Sequence, residues 1–471
     1  MAGQQPRQPE LASYKRIILC SDGTWLASDM GDKSVPSNVA RLARTIANSG
    51  PDKNGKIVNQ IVMYQSGLGS GDFPFQKSIN GALGWGLDKD VCQMYDFISN
   101  NYRPGKPGDP NEPADELLFF GFSRGAFTVR SVAGLVCDIG VLSAVHMSCF
   151  PEMWKEYRAN TSGKSFRDSK WYQENKEKLS LTDVKVKVVG VWDTVGALGI
   201  PEWPVVSFAK KFLPINDKYA FHNTNALKNV EHAFQALAID ENRLPFTPAL
   251  WHKSPDNETE VLQCWFPGTH SNIGGGQKEA LEEIAYLTFA WMLDNLSEML
   301  TFEEVPIKNL VEEHSRALKA IRITEESTNS WGCGPLVNNY SGLGYLWRLL
   351  GVKNRTPGAY VQDPGNGTGG ATAECFHPIT RIRKEKVKYK PASLEGFYTV
   401  KTGQKGWQWK GGKLPLPEWQ MSQGKTLSIA NENGGSVKYG RTKKSLSEKL
   451  AEGVSDDEED GWMESAILAW L

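Results

Sequence analysis

Apolar residues occur along the chain in two alternating spacings, short continuous runs and longer stretches with apolar positions three and four residues apart. Lys15–Ser21 centres on Ile17-Ile18-Leu19-Cys20 and predicts a buried strand that ends at Asp22-Gly23. Ser37–Asn48 sets Val39, Leu42, Ala43 and Ile46 on one helical face, with Ser37 or Asn38 as N-cap. Ile57–Tyr64 predicts a second strand, and Gly67–Gly71 breaks regular structure. Asp88–Asn100 carries Val91, Met94, Tyr95 and Ile98 at helical spacing. The alternation continues through a strand at Glu116–Phe120, a helix at Gly125–Val136, a strand at Asp183–Trp192, a helix at Glu231–Ala238 and a strand at Glu260–Phe266. A helix at Glu279–Leu296 follows, with Leu281, Ile284, Ala285, Thr288, Trp291 and Met292 on one side. Such alternation predicts an α/β fold, a mostly parallel sheet covered by helices on both faces.

Past about residue 300 the alternation fades. Tyr340–Pro357 is rich in Gly, Leu and aromatics, and Gln362–Ala373 reads as a loop. Arg381–Lys390 alternates and predicts an edge strand or solvated ribbon. Trp407, Trp409 and Trp419 lie among Lys and Gly, which predicts a surface hairpin, with a membrane-interface element as the alternative. Ser455–Asp460 predicts a solvated acidic run. The expected organisation is a flexible N-terminus (1–14), an α/β core (15–300), a lid or insertion segment (301–400) and a C-terminal extension (401–471).

Composition narrows the function classes. Forty per cent of the 471 residues are hydrophobic, enough for a large core. Lys and Arg total 53 against 54 acidic residues, a balance that excludes a dedicated nucleic-acid binder. No apolar run is long enough for a membrane span, and Met1–Ser13 lacks the apolar core of a secretory signal. Seven scattered cysteines without a CxxC pair predict neither zinc nor a disulfide framework. A cytoplasmic location, with at most transient contact with a membrane surface, is the expectation.

The candidate chemistry starts at Gly121-Phe122-Ser123-Arg124-Gly125, the G-x-S-x-G form of a nucleophile elbow set between a predicted strand and a predicted helix. A serine on so tight a turn has strained dihedrals, and side chains two positions to either side would collide, hence Gly121 and Gly125. The helix begins at the serine, so its dipole and free amides face the reacting carbonyl. The Arg124 N–H is then one oxyanion donor, and the Arg124 guanidinium is expected near the pocket mouth or paired with a carboxylate. The turn Asp22-Gly23-Thr24-Trp25 offers the Gly23 or Thr24 amide as the second donor, or is an ordinary Asx turn.

A serine nucleophile needs a base. His270 lies in a glycine-flanked loop after a predicted strand, where α/β sheets place their sites. Of the other histidines, His146 falls in a loop, His222 in a polar stretch, and His232 and His314 within predicted helices. His252 follows Trp251, and His377 precedes Pro378. The acid is Asp193, directly after an apolar strand, with Asp240 as the alternative; Glu241 and Arg243 beside Asp240 suggest a structural ion-pair cluster. The order Ser123, Asp193, His270 is that of α/β-hydrolases. No metal and no organic cofactor are called for.

Several segments in order carry a resemblance: DGTW, SNVARL, YQSGLGSG, GFSRGAF, VWDTVGALG, EHAFQALAIDENR, WFPGTHSNIGGG and NRTPGAY. Together they resemble the α/β-hydrolase family that includes the catalytic domain of type VI secretion lipase effectors, over about Lys15 to Tyr360 and the HPITRIR stretch from His377. The resemblance implies an α/β-hydrolase core and a serine-dependent activity on lipid or phospholipid esters. Ser123 matches the family's nucleophile, Asp193 its acid and His270 its base. Many members have His-Ser-Asp where this chain has His270-Ser271-Asn272, which removes a carboxylate beside the base. A carboxylesterase or thioesterase for soluble substrates, and a binding protein that keeps the elbow without catalysis, are the alternatives. Gly67–Trp85 and Tyr340–Tyr360 are expected to form a lid or acyl-binding wall, or else core loops.

Overall fold

The computed structural model describes residues 10–23, 35–67, 87–160, 165–195, 229–307, 309, 312, 332–340, 348, 351–360, 371–403, 406–420, 426–430 and 436–440. The strands are β1 (Leu11–Ser21), β2 (Ser49–Pro51), β3 (Ile57–Gln65), β4 (Glu116–Phe122), β5 (Val186–Trp192), β6 (Val230–Ala238), β7 (Glu260–Phe266), β8 (Thr301–Phe302) and β9 (Glu374–Phe376). Beyond them lie β10 (Tyr398–Thr402), β11 (Gly406–Lys410), β12 (Leu416–Pro417), β13 (Thr426–Ala430) and β14 (Ser436–Gly440). The helices that matter here are α1 (Asn38–Thr45), α2 (Leu87–Asn101), α3 (Arg124–Ile139), α4 (Phe150–Ala159), α5 (Lys170–Asn175), α6 (His270–Gly274), α7 (Glu283–Leu296) and α8 (Pro378–Lys386).

Eight strands form the central sheet in the order β2-β3-β1-β4-β5-β6-β7-β9. Only β2 is antiparallel to its neighbour; the rest pair in parallel. This is an α/β-hydrolase-like sheet. Side chains alternate across it, as strand geometry requires. Ile18, Cys20, Leu118, Phe120 and Trp192 face one side, with α1 and α7. Ile17, Leu19, Leu117, Phe119 and Val191 face the other, with α2, α3 and α4. Both faces are therefore dry, which is why these strands read as unbroken apolar runs.

Four expectations are corrected. Glu231–Ala238 is not a helix but most of β6, and His232 lies on that strand. Its Ala, Glu and Gln favour a helix locally, but main-chain bonds to β5 and β7 on either side decide the outcome. Arg381–Lys390 is not a ribbon: α8 covers Pro378–Lys386, with Pro378 in the first turn and His377 Nδ1 accepting from the Ile379 N–H at 3.2 Å. Its helical signal is Ile379, Ile382 and Arg383, which face the core, whereas Val387 and Tyr389 lie beyond its end. The α7 helix has no solvent face; every residue from Glu283 to Leu296 is buried, and the Glu283 carboxylate is met by the Gly332 and Gly334 amides. The Trp segment is not a plain surface hairpin. Trp409 and Trp419 are buried, Trp409 against Phe376 with ring centroids 4.6 Å apart.

The expected domain limits also shift. Residues 11–14 already belong to β1, and β9 completes the sheet from beyond residue 300. The 301–400 segment therefore supplies core as well as connection. Among the described residues no single helix is long and apolar enough to cross a membrane. Met1–Pro9, Gly69–Trp85, His222, His314 and Ser455–Asp460 lie outside the described residues.

Candidate active site

The nucleophile elbow joins β4 to α3. Ser123 sits at φ 57° and ψ −118°, a conformation that L residues rarely adopt. The glycines on either side are demanded by contact. A Cβ on Gly121 would come within 2.6 Å of the Ala126 nitrogen, and one on Gly125 within 2.5 Å of the Asp22 carbonyl oxygen. The elbow is thus wedged against the end of β1. The Ser123 N–H donates to the Trp192 carbonyl at 3.1 Å, which fastens the elbow to the end of β5. The Ser123 hydroxyl does not cap α3. Arg124 is the first residue of α3, so its amide is one of the helix's unpaired donors. Its half-buried guanidinium lies in the field of Asp90. Burial pushes the Asp90 carboxyl up to about 6, against the opposing pull of Lys89 and Arg124.

The turn after β1 does not offer the Gly23 amide to a substrate. The Gly23 N–H donates to Oδ1 of the residue before it, Asp22, at 2.7 Å. Asp22 also accepts from the Ser37 hydroxyl and from Tyr64 Oη at 2.7 Å. Burial raises the Asp22 carboxyl, and these three donors oppose that rise. Ser37 caps α1 through the Ala40 N–H, so the helix start and the turn share one hydroxyl. Thr24 lies outside the described residues.

Asp193 follows β5 at φ 40° and is fully buried. Its Oδ2 lies 2.6 Å from His270 Nδ1. Oδ1 accepts from the Ala238 N–H at 3.1 Å and from Arg355 Nη1 at 2.9 Å, and Oδ2 accepts from Arg355 Nη2 at 3.1 Å. Burial alone would raise this carboxyl; the Arg355 charge and the His270 hydrogen bond outweigh it and hold the group well below the usual carboxylate range.

His270 is the first residue of α6, whose N-cap Thr269 forms a capping box with Asn272. The imidazole lies against the Phe122 ring at 4.7 Å and edge-on to Phe246 at 4.9 Å. Phe122 precedes the nucleophile, so this contact seats the base on the elbow. The Asp193 bond makes Nδ1 the donor and leaves Nε2 as the acceptor. The His270 backbone N–H donates to Glu241 Oε2 at 3.1 Å. Glu241 is fully buried, and burial would raise it, but the Arg243 guanidinium pulls it below its usual value.

Ser123, Asp193 and His270 thus stand at the carboxyl ends of β4, β5 and β7, on one rim of the sheet. The acid and base are bonded. The Ser123 hydroxyl makes no hydrogen bond among the described residues. Asp240 is engaged elsewhere, accepting from the Gly268 N–H and from Tyr389 Oη at 2.7 Å. Burial raises its carboxyl, opposed by those two bonds. Asn272 does what a carboxylate could not: its Oδ1 accepts from the Thr269 and Val337 amides while its Nδ2 donates to the Leu281 carbonyl.

Two residues acquire a place that no sequence pattern assigned. Glu241 read as part of an ion pair, which it is, yet it also anchors the His270 backbone. Arg355 lies within NRTPGAY, but it meets Asp193 162 residues away in the chain. Among the described residues no group of three or more His, Cys, Asp or Glu is placed to hold a metal ion.

Comparison with known proteins adds a family. The model described as type VI secretion, phospholipase effector Tle1-like, catalytic domain matches residues 15–295. The uncharacterised protein YEL023C of Saccharomyces cerevisiae is 26% identical over 260 residues, which are 50% of this chain and 33% of that protein. The chain therefore matches about a third of that relative's length. Among solved structures, an uncharacterised Pseudomonas aeruginosa protein is 16% identical with a TM-score of 0.39, covering 65% of this chain and 51% of that one. The Tle1 effector bound to the VgrG spike of the type VI secretion system is 18% identical with a TM-score of 0.30, covering 58% and 53%.

Proposed function

The chain belongs to the Tle1-like phospholipase effector catalytic-domain family, whose name describes lipid ester hydrolysis, and on that premise we propose that it is a serine hydrolase cleaving lipid or phospholipid acyl esters. The observation that carries this is the 2.6 Å bond between Asp193 and His270, set beside a strained serine elbow. In the first half-reaction the Ser123 hydroxyl turns to His270 Nε2, which takes its proton as Oγ attacks the ester carbonyl. The Arg124 amide receives the developing oxyanion. Asp193 steadies the imidazolium, which gives its proton to the leaving alcohol. Water then attacks the acyl-enzyme, with His270 again taking and returning the proton. Catalytic hydrogen bonds of this kind often form only once substrate is bound.

The family name supports a lipid substrate; transient contact with a lipid surface, a cytoplasmic site of action and no nucleic-acid partner are parts of the same proposal. Ser123→Ala is expected to lower turnover of a p-nitrophenyl ester and of phospholipid vesicles by about 10⁴-fold or more, and to abolish fluorophosphonate labelling. Activity that survives the substitution refutes the nucleophile. Soluble esters turned over while vesicles are not would make this a carboxylesterase. Wild-type protein that takes no label would be a binding protein on a hydrolase fold.

A further inference from the structure

We propose that Arg355 is a positioning residue of this hydrolase: by gripping both oxygens of Asp193 it aims the carboxylate at His270 and offsets part of that carboxylate's charge. The inference rests on the Ser-His-Asp reading above.

The geometry is a fork on a fork. Nη1 and Nη2 of Arg355 reach Oδ1 and Oδ2 of Asp193 at 2.9 and 3.1 Å. Nη2 also donates to the Phe246 carbonyl at 2.7 Å, and the Phe246 ring is one wall of the imidazole. One guanidinium therefore holds the histidine's carboxylate and one of its flanking rings. Its own segment is anchored nearby. The Gly358 N–H and Trp265 Nε1 donate to Glu374 on β9, each at 2.8 Å, and the Lys353 N–H donates to the Asn242 carbonyl at 2.8 Å. This support comes from beyond residue 295, where the family match ends.

The charges around His270 can be counted. Asp193 faces it from the end of β5, and Glu241 from the loop after β6. Arg355 sits on Asp193, while Arg243 pairs with Glu241 and lies over the Phe246 ring. Arg41 and Glu282 pair with each other beside Gly275, past the far end of α6. Arg348 lies further out over Tyr340, exposed to solvent. An imidazolium at His270 thus forms beside two carboxylates already matched by two guanidiniums. In a triad without the second cation, the bare carboxylate stabilises the imidazolium. Here that stabilisation is partly cancelled. Removing the Arg355 charge favours the imidazolium, and the acid limb of the pH–rate profile moves up.

The test is kcat/KM for a p-nitrophenyl ester from about pH 4 to 9, using the full chain as wild type, Arg355→Met and Arg355→Lys. Arg355→Met should move the limb up by about one pH unit and lower kcat about tenfold. Arg355→Lys keeps the charge but not the fork, so its limb should stay with wild type while kcat still falls. A folded Arg355→Met with an unmoved limb overturns the proposal, as does an Arg355→Lys limb that moves with the methionine variant. If Arg355→Met does not fold, Arg355→Lys decides alone: a kcat equal to wild type overturns the proposal. Wild type that labels with fluorophosphonate but fails these tests sinks only the role of Arg355; wild type that does not label sinks the triad.

Discussion

The elbow around Ser123 and the acid–base pair at Asp193 and His270 share one rim of the sheet but are held by different forces. The elbow is one pentapeptide, shaped by backbone contact. Gly121 faces the Ala126 nitrogen, Gly125 faces the carbonyls of Ser21 and Asp22, and Ser123 carries a positive φ. The acid–base pair gathers Asp193, Glu241, Arg243, His270 and Arg355 from distant parts of the chain and holds them by buried charge. One region tolerates no added volume; the other tolerates no unmatched charge. The nucleophile needs a fixed backbone, whereas the base needs a fixed electrostatic field.

That contrast can be broken from either side. The largest effect is expected at the charged end. Glu241→Ala removes the partner of Arg243 and the acceptor of the His270 amide, and should lower stability by about 3 kcal/mol in denaturant unfolding. A loss below about 1 kcal/mol would mean that water replaces the carboxylate. At the elbow, Gly125→Ala adds a single carbon against the backbone of β1 and should cost about 2 kcal/mol, with activity falling further than stability. The smallest effect has the opposite sign. Ser123→Gly relieves the positive φ and should raise stability by about 1 kcal/mol while removing the nucleophile. Thermal unfolding of the variant beside wild type reads this directly, and an unchanged midpoint would mean that the elbow stores no strain.

Legibility in the sequence follows the same division. The elbow could be found because its requirement is local: a strand, two glycines and a serine in a fixed order. The Asp193 and His270 positions were marked by apolar strands ending just before them. Glu241 and Arg243 beside Asp240 pointed to Asp193 as the acid, but the contact with His270 itself depends on where β6 and its loop sit beside β5. The Gly23 amide escaped for a related reason. A side-chain-bonded amide and an oxyanion donor use the same dipeptide, and only the Asp22 side chain, held by Ser37 and Tyr64, selects between them.

What the amino-acid sequence determined by itself is the alternation of buried strands with helices and the steric frame of the elbow, since both arise from neighbours within a few residues. Tertiary structure alone decided that Glu231–Ala238 is a strand and that Arg355 meets Asp193. Those outcomes depend on hydrogen bonds and charge pairs between remote segments. Such pairings form only when the sheet is assembled, and they leave no periodic trace in the chain.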